Sequence, residues 1–155
     1  PVCPVLGSIL HEAGKKVGAT VYRDGTYLCI EGPQFSTRAA SKLFRTCAVD
    51  IIGMTNLPEA KLAREAEICY ATIAFATDYD CWHETAEDVS IGEVLRILAQ
   101  STKTAKSAIR LAIKRLPETR NCLCSNALKH AMITAKKFIS EKTRRDLEPI
   151  IGKYI

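Results

Sequence analysis

Two aspartates, Asp78 and Asp80, stand two residues apart where the apolar run Ala71 to Ala76 stops abruptly. Residues two apart in an extended segment point to the same side, so both carboxylates can address one pocket. Burial and a neighbouring negative charge each raise a carboxyl pKa. A carboxylic acid that keeps its proton near neutral pH is a general acid. Aspartate is also a common turn and cap residue, and spacing alone does not separate the two roles.

The elements that must position these carboxylates follow from the patterning. Cys69 to Ala76, rich in β-branched and small apolar residues, reads as a buried strand of a parallel sheet, with the aspartates at its carboxyl end, where ligands bind in open α/β sheets. Val5 to Lys16 has apolar residues at helical spacing and predicts an opening helix. Ala19 to Tyr22 and Tyr27 to Glu31 flank Asp24-Gly25, which predicts a hairpin. Ser36 or Thr37 can cap a helix running to Thr46, and Ala48 to Gly53 reads as a short buried strand. Asn56-Leu57-Pro58-Glu59 has the form of an N-cap followed by a capping-box Glu, predicting a helix to about Ile68. Ser90-Ile91-Gly92-Glu93 opens another, reaching Leu116 before Pro117, and Ser125 would open a last long helix carrying Leu128, Met132, Ala135 and Ile139. With no internal repeat or linker, the expected architecture is a single α/β unit, a mixed or parallel sheet flanked by helices.

The 155 residues, 25% charged and 47% hydrophobic, have an ordinary globular composition and suffice for one core. The formal charge of +5 is concentrated after Lys103 without interleaved aromatics, which argues against nucleic-acid binding and suits an anionic substrate. Pro1 to Leu10 lacks a basic leader, and no apolar run approaches the ~18 residues of a membrane span. A cytoplasmic, non-membrane protein is therefore expected. The chain begins at Pro1 rather than Met, as either processing or a start partway through a longer protein would explain.

Three predicted strand ends converge on one edge: Glu31-Gly32-Pro33-Gln34-Phe35-Ser36, Gly53-Met54-Thr55-Asn56-Leu57-Pro58-Glu59, and Ala76-Thr77-Asp78-Tyr79-Asp80-Cys81-Trp82. Together, these motifs resemble the carboxyl-terminal half of the purine nucleoside phosphorylases, in the branch acting on 5′-methylthioadenosine. The resemblance runs from about Cys3 to Leu95; the tail after Leu116 adds nothing to it. It implies a nucleoside phosphorylase-like fold, with residues 1–155 as the carboxyl-terminal portion of one phosphorylase domain, and a trimer or hexamer. The implied reaction is attack of phosphate on the anomeric carbon of the nucleoside, with phosphate as co-substrate and no organic cofactor or metal. The implied partners are a purine nucleoside, phosphate and an amino-terminal half on the same or a separate chain.

The resemblance also implies roles. Asp78 would donate to purine N7 and accept from the 6-amino group, with Asp80 supporting it. Phe35 would pack near base and ribose, and Ile52 and Met54 would complete that part of the substrate site. Thr55 would contact phosphate, which suits a hydroxyl beside a helix N-terminus. Ile91, Val94 and Leu95, on one helical face, would line the methylthio pocket. As isolated residues, Phe35 and Met54 would be read as core and Thr55 as a turn hydroxyl. His11, His83 and His130 form no recognisable constellation and are assigned to packing or surface.

The 6-oxopurine branch carries a Glu soon after the Glu-Gly-Pro turn, and none stands here, which favours a 6-aminopurine. A phosphorylase of broader or 6-oxopurine specificity, hydrolysis with water in place of phosphate, and a non-catalytic nucleoside-binding module are the rival readings. Seven cysteines are many for a cytoplasmic chain. Cys3 with Cys69, and Cys122 with Cys124, are the expected candidates for disulfides. Cys122-Leu123-Cys124 lacks zinc-knuckle spacing, and no second Cys or His pair follows it, so no metal site is expected from linear spacing.

Overall fold

The computed structural model describes residues 1–77, 79–82 and 91–155 and, at positions 91, 93 and 94, the backbone alone. Helix α1 spans Pro4–Lys16, with Cys3 as N-cap and Pro4 in the first turn, where a missing N–H costs nothing. Its end is a Schellman motif: Gly18 takes φ +81° and donates to the Lys15 carbonyl (3.0 Å), and Ala19 donates to that of Gly14 (3.1 Å). Lys15 and Lys16 complement the dipole of this last turn.

The predicted hairpin is absent. Asp24 and Gly25 do turn the chain with positive φ, but the residues that follow form β1 (Tyr27–Cys29), which pairs in parallel with β2 (Ile51–Gly53) in register Tyr27 to Ile51. The Asp50 carboxylate decides this by accepting the Thr26 N–H at 2.6 Å, and the Thr26 carbonyl accepts in turn from Asp50 N–H and Ile51 N–H. The Asp-Gly pair therefore turns the chain into a long-range pairing. Gly53 is required where it stands, because a Cβ there would collide with the Tyr27 hydroxyl lying across it.

Helix α2 (Arg38–Thr46) is capped by Thr37, whose hydroxyl accepts from Ala40 N–H (3.2 Å). Helix α3 (Asn56–Glu65) starts one residue earlier than the sequence suggests, with Thr55 rather than Asn56 at the N-cap, and stops short of Ile68. Both helices end in the same Schellman geometry as α1, but with Ala48 (φ 54°) and Glu67 (φ 55°) in the left-handed position usually given to glycine. No glycine marks these stops, hence the overlong prediction for α3.

Cys69–Ala76, expected as the central strand, has no ladder partner among the described residues; the one backbone bond into it is Cys3 N–H to the Tyr70 carbonyl at 2.7 Å. A strand is defined by its neighbours, and these residues have none here. Helix α4 (Ile91–Ile113) packs against α1, with Ala13, Ala108 and Ala112 buried. The long helix expected from Ser125 does not form. Ser125 Oγ is turned to the Cys122 carbonyl instead of capping amides, and the tail is built from single turns (Leu123–Asn126, Lys136–Phe138 and Gly152–Tyr154) and two short helices, α5 (Glu141–Asp146) and α6 (Glu148–Ile151). Among the described residues, no helix is long and apolar enough to cross a membrane.

Candidate active site

Because β1 and β2 are parallel, their carboxyl ends open on the same edge, and the turn from Glu31 to Ser36 meets Met54 and Thr55 there. The Gly32-Pro33 peptide bond in that turn is cis. Met54 Sδ lies close enough to Gly32 that a Cβ would come within 2.9 Å of it, so the two strand ends touch. The third predicted loop joins them: Cys81 Sγ donates to the Ser36 carbonyl at 3.4 Å, and the Arg45 guanidinium at the end of α2 stacks 3.9 Å over the Trp82 ring. Tyr79 meets Trp82 edge-on, with centroids 6.1 Å apart.

Asp80 sits at this junction with its two oxygens in different states. Its Oδ1 accepts from Cys81 N–H at 2.9 Å, whereas its Oδ2 is buried with no hydrogen-bond partner among the described residues. A buried carboxylate oxygen left open in this way is suited to a donor brought by a ligand or a neighbouring side chain. Asp78 lies outside the described residues, as do His83, Ser90 and the side chains of Ile91 and Val94.

Thr55 is exposed at the N-cap of α3, and its hydroxyl makes no capping bond. A hydroxyl beside a helix start, where the first amides have no partner within the helix, suits an anion. Asn56 and Glu59, predicted to cap α3, are instead committed to the segment before the aspartates. Asn56 Oδ1 accepts from Thr72 Oγ1 (2.5 Å), and the Tyr70 hydroxyl lies 3.0 Å from Asn56 Oδ1 and 2.9 Å from Glu59 Oε2. Burial, and then the Glu59 carboxylate, push the Tyr70 phenol above its ordinary pKa and keep it a donor. These contacts tie the Thr55 end of α3 to the chain that delivers Asp80.

Ile52 and Met54 are half-buried beneath the edge, while Phe35 is 84% exposed and Leu95 is 60% exposed. The structure therefore brings together Met54, Thr55, the Gly32 turn and the Asp80 loop, and leaves Phe35 and Leu95 exposed among the described residues. Arg45, Trp82 and Tyr70 have no role in the sequence reading, and Asn56 reads there only as a cap. Only Trp82 carried a signal, as the one tryptophan in the chain.

A second constellation gathers around Glu67. Burial acts to raise its pKa, but hydrogen bonds from the Lys153 ammonium, the Tyr154 hydroxyl and Leu128 N–H (2.9 Å) prevail and hold it at about 2. Arg120 donates to its carbonyl at 2.7 Å. Beside it lie Cys3, Cys69, Cys122 and Cys124, their sulfurs all within 4.8 Å of one another. All seven cysteines are free thiols, so neither expected disulfide is formed.

Residues 1–114 match the family model described as the Phosphorylase superfamily. The chain is 55% identical over its whole length to the S-methyl-5'-thioadenosine phosphorylase of Geobacter sulfurreducens, of which it covers 54%. It is 46% identical over 99% of its length to the protein of the same name from Koribacter versatilis, covering 53%. Among solved structures, methylthioadenosine phosphorylase from Schistosoma mansoni in complex with adenine superposes with a TM-score of 0.71 at 31% identity, over 83% of this chain and 51% of that one. The chain thus spans about half the length of the curated relatives it matches.

Proposed function

Since the chain belongs to the phosphorylase superfamily, we propose that it supplies the base- and ribose-binding half of an enzyme that phosphorolyses 5′-methylthioadenosine to adenine and 5-methylthioribose 1-phosphate. The observation that carries this reading is the shared edge, where the Gly32 turn, Met54, Thr55 and the Asp80 loop meet. Cleaving a purine glycosidic bond leaves negative charge on the base, and a carboxylic acid delivering its proton to N7 relieves it. Asp78 takes that role, accepting the 6-amino hydrogen through its other oxygen. Asp80, with one buried oxygen unpartnered among the described residues, steadies Asp78 or the amino group. Thr55 and the first amides of α3 receive the phosphate.

Phe35, Ile52 and Met54 flank the sugar, and Ile91, Val94 and Leu95 line the methylthio pocket once the exposed faces are covered by the rest of the assembly. That assembly is a cytoplasmic trimer or hexamer, with an amino-terminal half completing the phosphate site.

The test is Asp78→Asn in the complete native protein. An asparagine can donate to a 6-oxo group while accepting from a protonated N7, so preference should move from 5′-methylthioadenosine toward inosine. Mispairing one buried polar group costs about 1 to 3 kcal/mol, so the ratio of kcat/KM values should swing by roughly ten-fold to a hundred-fold. Equal loss of both activities would remove Asp78 from base selection.

A further inference from the structure

The four cysteines Cys3, Cys69, Cys122 and Cys124 come from three separate parts of the chain. Cys3 is the N-cap of α1, Cys69 precedes the Tyr70 that bonds it, and Cys122 and Cys124 frame the turn Leu123–Asn126. Cys3 and Cys124 are buried and the other two half-buried. All four sulfurs lie within 4.8 Å of one another, and the pair Cys69 and Cys122 is 3.3 Å apart. We propose that these four sulfurs form a closed tetrathiolate site for a single soft divalent cation, zinc, which fastens the tail to α1 and to the segment leading to Asp80.

The distances support one ion. Tetrahedral zinc with thiolate bonds near 2.3 Å separates its sulfurs by about 3.8 Å, within the span observed here. The sulfurs are too tightly gathered for an iron–sulfur cluster, whose cysteines must reach around several metal ions. A disulfide would join two of the four at about 2.05 Å and leave the other two in the same small volume. Four sulfur ligands leave no open position, which makes the site structural rather than catalytic.

Binding converts four thiols to thiolates, releases their four protons to solvent and leaves a net charge of −2. Leu6 N–H points at Cys3 Sγ (3.5 Å) from the positive end of α1, and Arg64 lines the cleft that Cys122 and Cys124 border, so this charge is met by a donor and a cation. The linear spacing Cys122-Leu123-Cys124 conceals the site because its other two ligands stand 119 and 53 positions from Cys122 in one case and in the other along the same chain.

The experiment uses the complete native protein, purified under reductant from zinc-supplemented medium, with metal measured by mass spectrometry. Zinc should be present at about one ion per chain and fall away in Cys69→Ser and Cys124→Ser, while Cys47→Ser and Cys81→Ser, changes at exposed cysteines, retain it. Cobalt exchanged into the wild type should show the intense sulfur-to-metal absorption and visible bands of a tetrahedral thiolate site. Chelation should speed proteolytic cleavage between residues 117 and 122. Should a ligand variant fail to fold, the wild-type stoichiometry and cobalt spectrum still decide. The proposal is overturned if the reduced wild type binds no zinc and takes up no cobalt, or if peptide mapping finds these four cysteines joined as disulfides that leave no metal site. None of these readouts depends on phosphorylase activity.

Discussion

Glu67 is a carboxylate whose charge the folded chain uses directly. Its pKa is held at about 2, against 4.5 ordinarily, so it contributes stability that is fully present above pH 4.5 and is lost as pH falls toward 2. Thermal melting of wild type and Glu67→Gln should therefore differ by a constant amount above pH 4.5, with the gap closing as pH approaches 2. A gap independent of pH would mean that the carboxylate is not ionised in this role. On the role proposed for Thr55, Thr55→Val in the complete protein should raise the phosphate KM roughly ten-fold or more, the effect of losing one hydrogen bond to an anion, with little change in nucleoside KM. Asp78 and Asp80 could be found in the sequence because two charges end an apolar run. Glu67 could not, because its partners Leu128 and Tyr154 lie 61 and 87 positions away. The Asp80 loop lies at the shared edge, joined to it through Cys81, and Asp78 lies outside the described residues.

Three helices end in the same hydrogen-bonded motif, and their stops differ in what occupies the left-handed residue. Gly18 adopts it freely, but Ala48 bears a Cβ there and is exposed, with no tertiary role to offset the strain. Ala48→Gly should stabilise the protein by about 1 kcal/mol, read as a higher urea midpoint at unchanged slope. At Glu67 the same exchange would also remove the carboxylate that holds the tail, so no gain is expected there. Some helix starts were legible from a capping residue, as at Thr37, but not the start of α5, which the Ser140 hydroxyl caps. The hairpin was misread because Asp24-Gly25 reports a turn and not the partner strand, which the Asp50 carboxylate selects from 24 residues away. The tail helix was misread because Leu128, Met132, Ala135 and Ile139 have helical spacing, but Ser125 supplies no cap.

The accessible surface of the chain is 11793 Å², whereas a compact monomer of its 17.1 kDa would expose roughly 7,800 Å². Large apolar side chains contribute to it: Leu43, Leu62, Ile109 and Ile113 are each about 44 to 64% exposed. Expressed alone, the chain should self-associate, eluting from a sizing column well above 17.1 kDa and binding a hydrophobic dye. Elution as a compact dye-free monomer would show that these faces need no cover. The extent of these uncovered faces was not legible in the sequence, because burial is a property of what packs against a residue.

The bond between Tyr154 and Glu67 has a consequence for the order in which a ribosome delivers the parts. Its two ends are 87 residues apart, so at ordinary translation rates the later one emerges roughly 4 to 17 s after the earlier. During that interval the segment leading to Asp80 is outside the ribosome and is held at its base only by the partners that emerge earlier, Arg120 and Leu128. Chaperones and proteases therefore meet this part of the nascent chain before its last fastening, and a message cut short before Tyr154 would yield a product that never gains it.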